Sequence, residues 1–402
     1  MHFRFLAVAL LIAFAGCKSQ TDPPGNAPRD VAVTAGDGRV TVTWTPEADL
    51  AYWIFFQQGS WVVAASPESL VLANAASPQA IVPLANGTQY AFVMNATKHD
   101  SAAGPSSPVV TAIPRPAGAN WVTGGALGAV NLNGIAFGGG RFVVVGDSAA
   151  VFTGLYNYTS TNPPGVSAWL PPTAPFPAFS GNLTAVAYSG QFVALGADGS
   201  ILTSSDGLTW ALATNMVPVS GMNTIAFGAG VHVAAGNGGN IYTSSDLVAW
   251  VPANSMTTND LYSVSFLNGG FVATGAGGTL LTSPDGSAWT PQISNAPNSL
   301  RGVAFGLSAG IRYAAVGDAG TIITSLDGVA WTLVPPVTPQ NLRSVVYGSR
   351  FVAVGQGGAV VFSDDGTNWT TASAGSADLA QVVVAPAMYM AVGTAGANFV
   401  SK

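Results

Sequence analysis

Charge is what this sequence has least of. Asp, Glu, Lys and Arg make up 7% of its 402 residues, against roughly 25% in an ordinary globular chain. The balance is acidic, with a net charge of −6. That excludes a nucleic-acid binder, which needs a basic face for phosphates. Glutamate occurs only as Glu47 and Glu68, and histidine only as His2, His99 and His232. So small a stock of ligands and bases excludes most metal centres and most His- or Glu-dependent catalysis. No metal site and no cofactor motif is read. The single cysteine, Cys17, leaves no internal disulfide. No apolar run reaches the roughly 20 residues that a helix needs to span a bilayer. What is abundant is Gly (49 residues) and hydrophobic side chains (49%), with 26 Pro. The chain therefore alternates turns with buried segments, and its length predicts two to three domains.

Residues 1–16 read as a signal peptide: a short basic start, an apolar run over residues 5–15 and a small-residue exit. The exit Phe14-Ala15-Gly16-Cys17 resembles a bacterial lipobox, with Phe where Leu is usual. The resemblance implies cleavage before Cys17, lipidation of that Cys and a membrane anchor. Two or more acyl chains make such an anchor stable. Lys18 and Ser19 follow, and by resemblance to Gram-negative sorting this implies the outer membrane. Residues 17–27 then form the lipidated Cys and a polar, Pro-containing tether.

Residues 28–114 read as a β-sandwich. Val40, Val42 and Trp44 alternate with Thr41 and Thr43, as in a half-buried strand. Asp37-Gly38 is a hairpin signal, residues 52–56 are an aromatic strand, and Tyr90, Phe92, Met94 and Ala96 alternate again. Short strands about ten residues apart predict a sandwich. With Trp44, the aromatic third strand and a Leu84…Tyr90 corner, the stretch resembles a fibronectin type III domain. That implies a spacer or adhesive module without chemistry of its own. His99-Asp100 reads as a polar turn. Residues 115–120 read as a short, stiff linker.

Residues 121–402 repeat. An aromatic (once His), three small apolar residues and Gly recur seven times, beginning at Phe142, Phe192, His232, Phe271, Tyr313, Phe351 and Tyr389. Six copies have a further Gly three residues on, at Gly199, Gly239, Gly278, Gly320, Gly358 and Gly396. Five carry Ser-x-Asp and a later Trp: Ser204/Asp206/Trp210, Ser244/Asp246/Trp250, Ser283/Asp285/Trp289, Ser325/Asp327/Trp331 and Ser363/Asp365/Trp369. The Trp-to-Trp steps of 40, 39, 42 and 38 residues, with four strand-like segments each, predict a β-propeller. Seven phrases predict seven blades. The last blade lacks an outer strand unless the segment at Trp121 supplies it and closes the ring. The fold class is therefore all-β: a fibronectin-like sandwich followed by a seven-bladed propeller. Ser-x-Asp-Gly-x-x-Trp resembles the Asp-box repeats of sialidases, some endoglucanases and photosystem II assembly factors, one residue shorter than their usual form. Asp-boxes are structural turns and carry no activity across.

Functional residues are expected where the repeats differ. The second residue of each innermost strand reads Asn133, Thr184, Asn223, Tyr262, Arg301, Arg343 and Ala380 around the ring. The residue after each repeat's first Gly reads Asp147, Ala197, Asn237, Ala276, Asp318, Gln356 and Thr394. The polar cluster Tyr262, Arg301, Asp318, Arg343 and Gln356 is the candidate ligand site, on the face opposite the Asp-boxes. A pairing of Arg301 with Asp318 inside one blade is the bland reading of it. Sialidase chemistry is excluded, because this domain has no Glu. Paired aspartates among Asp147, Asp198 and Asp318 leave an inverting glycosidase as the alternative. His232 reads as a packing residue. The long segment between Gly154 and Trp169 reads as a loop, with Tyr156 and Tyr158 available to stack on a sugar or partner. The function expected is a lipid-anchored, monomeric, non-catalytic cell-envelope protein whose propeller binds protein or glycan. An assembly factor for a membrane complex is a third reading.

Overall fold

A computed structural model describes residues 22–98, 101–115, 117–125, 127–161, 164–173, 179–306, 312–386 and 388–401. Cys17 with its leader, His99 and Asp100 lie outside the described residues. Apart from the tip Gly36–Gly38, the chain divides between Pro114 and Arg115 into two compact units.

In the N-terminal unit, Arg29–Gly36, Arg39–Thr45 and Gln79–Ile81 form a three-stranded sheet. Leu70–Ala75, Leu50–Gln58, Tyr90–Lys98 and Val110–Ala112 form, in that order, a four-stranded one. Val40, Val42 and Trp44 bury the faces that their alternation marks, against Tyr52, Ile54, Phe92 and Met94. Tyr90 Oη accepts the Ala85 N–H at 3.1 Å, tying down the corner before its strand. One expectation needs correcting: the strand Tyr90–Lys98 is not half-buried. Ala91 and Val93, on its second face, are also buried, because Val62 packs over them beside Phe55.

The C-terminal unit holds seven four-stranded antiparallel sheets. Their innermost strands are Leu132–Gly138, Leu183–Tyr188, Met222–Gly228, Leu261–Leu267, Leu300–Phe305, Leu342–Tyr347 and Leu379–Ala385. These open blades one to seven. The second strands (Phe142, Phe192, Phe271 and their sisters) are buried on both faces, because each sheet is sandwiched between two neighbours. That double burial removes period-two alternation and leaves little surface for charge. In the seventh sheet the outermost strand is Val122–Thr123, paired with Asn398–Ser401 through Phe399↔Thr123 and Val400↔Val122. Leu132, Ile135 and Phe142 of blade one share a core with Met388, Met390 and Val392 of blade seven.

The Ser-x-Asp turns have one architecture. In blade six, Ser363 Oγ accepts the Gly366 N–H at 2.8 Å, Asp365 Oδ1 accepts those of Thr367 and Asn368, and Trp369 Nε1 donates to the Gly366 carbonyl. These backbone donors, with that of Asn368 first, pull the Asp365 carboxyl down to about 2; the Ala288 and Ser287 N–H groups do the same for Asp285. The seventh blade builds the same turn from the two ends of the propeller segment. Ser401 Oγ accepts the Gly118 N–H at 2.7 Å, and Trp121 Nε1 donates to the Gly118 carbonyl at 2.8 Å. Ala117 and Gly118, from the stretch read as linker, thus occupy the turn, with Ala117 buried in the Asp position. Blade three departs from the pattern. Leu247 replaces the turn Gly at φ +63° and Trp250 Nε1 is buried without a partner.

Gly154–Trp169 is a hairpin rather than a loop: Val151–Thr161 pairs with Pro164–Leu170. Tyr156 is no stacking platform. Its ring lies 5.7 Å from Phe137 and its hydroxyl donates to the Pro386 carbonyl at 2.5 Å. The side chain of Tyr158 lies outside what is described.

Candidate functional site

The seven innermost strands surround an axial cavity of about 200 Å³. All seven second-position residues line it: Asn133, Thr184, Asn223, Tyr262, Arg301, Arg343 and Ala380. Strand geometry explains why. Each strand's opening Leu or Met is buried between blades, and its pairing to the second strand shifts by one residue at the next position, so that residue lies in a bulge that faces the axis.

In blades one, three and five the residue after the first Gly is the hydrogen-bond partner of the second-position residue. Asn133 Nδ2 donates to Asp147 Oδ1 at 2.9 Å, and Asn223 Nδ2 to Asn237 Oδ1 at 2.9 Å. Arg301 forms a two-pronged pair with Asp318, through Nε–Oδ1 and through Nη2–Oδ2 at 3.0 Å. Where the first residue is Thr184 or Tyr262, the second is Ala197 or Ala276. In these five blades the two slots vary together. Each first Gly is set by close approach: a Cβ at Gly317 would fall on the Ser299 carbonyl oxygen.

Of the five candidate residues, the structure brings four together. The Arg301 guanidinium carbon lies 4.6 Å from the centre of the Tyr262 ring, and Asp318 holds the guanidinium charged beyond its already high ordinary range. Arg343 Nη2 bonds Asp378 Oδ2 at 3.2 Å, a single prong, and its side chain keeps 39% of its exposure. Gln356 is exposed and is not among the cavity-lining residues. The arginines are therefore pre-oriented, one by a carboxylate fork and an aromatic face, the other by one bond. Ion pairs this exposed contribute at most about 1 kcal/mol to stability.

The aspartates of the hydrolase alternative are each engaged. Asp147 accepts from Asn131 and Asn133, Asp198 caps its own turn through Ser200 N and Oγ, and Asp318 holds Arg301. Among the described residues no group of three or more His, Cys, Asp or Glu could hold a metal ion, and no helix is long and apolar enough to cross a membrane.

One set of residues escaped the sequence reading. The side chain just before an innermost strand accepts a backbone N–H from the previous blade's turn. Asn182 takes Ser148, Asp260 takes Gly238, Ser299 takes Gly277, Asn341 takes Ala319 and Asp378 takes Gly357. Asn131 takes Ala395 at 3.3 Å, from blade seven back to blade one. The signal was present: Asn, Asp or Ser precedes the strand-opening Leu in six repeats. Asp378 does double duty, clamping Gly357 with Oδ1 and orienting Arg343 with Oδ2.

The sequence matches no protein-family model and no curated protein. Its fold has relatives among solved structures. YCF48 from Cyanidioschyzon merolae is 18% identical with a TM-score of 0.55, covering 70% of this chain and 98% of that one. YCF48 bound to D1 peptide is 17% identical with a TM-score of 0.55, covering 70% and 94%. Virginiamycin B lyase from Staphylococcus aureus is 10% identical with a TM-score of 0.59, covering 70% and 98%. The C-terminal unit is thus a β-propeller.

Proposed function

We propose that this chain is a lipid-anchored cell-envelope protein whose propeller binds a segment of a partner protein, without turnover, at the axial mouth formed by Tyr262, Arg301 and Arg343. The observation that carries the reading is the placement of two part-exposed, pre-oriented guanidiniums on adjacent blades beside an aromatic ring. The propeller is acidic, with six Lys and Arg against eleven Asp. Two forks in that setting suit a carboxylate-bearing segment. The similarity to YCF48, one structure of which holds a D1 peptide, supports a protein ligand and the assembly-factor reading over a glycan. No observation favours the hydrolase.

In the same reading, Cys17 carries the anchor in an outer membrane and residues 28–114 are a fibronectin type III spacer, which the three-plus-four sheet order supports. The strand Val122–Thr123 closes the ring, and the protein acts as a monomer. A photo-crosslinking residue at position 262, in the anchored chain, tests the site. Crosslinks to an envelope protein support the proposal, and crosslinks to polysaccharide or to nothing contradict it. The anchor is tested by Cys17→Ser, which should lose incorporation of labelled palmitate and leave the membrane fraction.

A further inference from the structure

Near the start of each blade's second strand stands one ring: Phe in four blades, Tyr313 and Tyr389 in two, His232 in the third. Where the ring has a polar tip, it reaches the first turn of the preceding blade. Asn268 Nδ2 donates to Tyr313 Oη at 3.2 Å, and Tyr389 Oη donates to the Arg350 carbonyl at 2.9 Å. His232 follows the rule: its Nε2 lies 3.0 Å from Ser189 Oγ, across the junction of blades two and three.

His232 differs in having a second nitrogen. The residue is only 5% exposed, its ring lies 4.6 Å from that of Phe227, and Nδ1 is buried with no hydrogen-bond partner. The elements packed around it bring no countercharge. Its own strand, Val231–Gly236, is uncharged. The flanking strands place Phe227 and Ser244 opposite it. Asp246, beyond Ser244, is turned into its own loop by Ser244 Oγ and the Val248 and Ala249 N–H groups. On the blade-two side stands Ser189, whose hydroxyl is uncharged.

We propose that His232 is an acid-sensitive element of the ring: the neutral imidazole ties blade three to blade two, and charging this buried ring, whose Nδ1 makes no hydrogen bond, loosens that junction. A buried cation with no countercharge beside it is costly. Burial accordingly pushes the His232 pKa below its ordinary value, with the Ser244 carbonyl offsetting part of this. The sign follows. A histidine whose folded pKa is depressed contributes no penalty above its unfolded value of about 6.5; stability is then lost as pH falls below that value, until the folded pKa is passed. One coupled proton raises the unfolding equilibrium constant by up to about tenfold per pH unit in that window. The Asp-box carboxylates stay ionised there.

The test is urea unfolding of the full chain at pH 8, 7, 6 and 5.5, for the wild type, His232→Phe, His232→Gln and His99→Gln. The wild type and His99→Gln should lose stability between pH 7 and 5.5, and both position-232 variants should lose that slope. His232→Phe restores the side chain of four sister blades and should fold. An unchanged slope in either position-232 variant overturns the proposal. Should neither fold, imidazole NMR of the wild type decides: a His232 signal still neutral at pH 6 supports the proposal, and one titrating at its ordinary value refutes it.

Discussion

Gly118 is the most informative single position in the propeller. It forms the turn that Ser401 and Trp121 share, and it packs that turn against blade six. Its φ is +105°, and a Cβ there would lie 2.6 Å from Val352 Cγ2 and 3.4 Å from Arg350 Cδ. Both atoms belong to the packed sixth blade, where Val352 is fully buried. Forcing a side chain into sparsely populated backbone space costs roughly 1–3 kcal/mol, and overpacking a close-packed core costs roughly 1–3 kcal/mol more. If the backbone shifts instead, the bonds to Ser401 Oγ and from Trp121 Nε1 are strained, at about 1 kcal/mol each. Gly118→Ala should therefore lose about 2–6 kcal/mol. Gly125→Ala is the matched control: φ is +84°, but nothing lies within 4 Å of the added carbon, so only the backbone cost, again roughly 1–3 kcal/mol, applies. The assay is urea unfolding followed by tryptophan fluorescence. Equal losses for the two variants would refute the packing of this turn against blade six.

Other outcomes follow from the same geometry. Thr274 is fully buried with an unpartnered hydroxyl, where sister blades carry Val145, Val316, Val354 and Val392; Thr274→Val should raise stability by about 1–2 kcal/mol in the same assay. Asp365, held at about 2, has a depressed folded pKa, so its contribution is complete above the unfolded value near 4 and is lost as pH falls from about 4 to about 2. Asp365→Asn should flatten the acid limb of thermal stability in that window; an unchanged limb would show that the turn's N–H groups do not hold the carboxylate.

The propeller was legible because its signals are local and repeated. A Gly and a Trp return every 40 residues or so, with an Asp-Gly turn between them in four of the repeats. The ring of second-position residues was legible for the same reason, since each directly follows the strand-opening Leu or Met of its repeat. Bonds between blades were less visible. Asn182 and Asp260 stand in an ordinary pre-strand position, and their acceptor role appears only once the neighbouring turn is beside them. The pairing of Arg343 with Asp378 crosses a blade boundary, and the sequence reading, which grouped Arg343 with Gln356 in one polar cluster, did not include Asp378. The hairpin Val151–Thr161/Pro164–Leu170 was obscured by Pro163, Pro164 and Gly165, which read as loop. Tyr156 was claimed by the core through Phe137, a contact no spacing announces.

Binding at the axial mouth is tested most directly by comparing the wild type with the Arg301→Ala/Arg343→Ala double variant. Both are exposed to solubilised envelope proteins and to a glycan array, with melting temperatures recorded beside capture. Because these ion pairs are part-exposed and contribute at most about 1 kcal/mol each, the double variant should melt within a few degrees of the wild type. It should nevertheless lose at least about tenfold of its capture of a protein partner, the scale of one charge-assisted fork. Equal capture by the two proteins would contradict the site, and release of sugar products by the wild type, lost on changing Asp147 or Asp318 to Asn, would contradict a non-catalytic propeller.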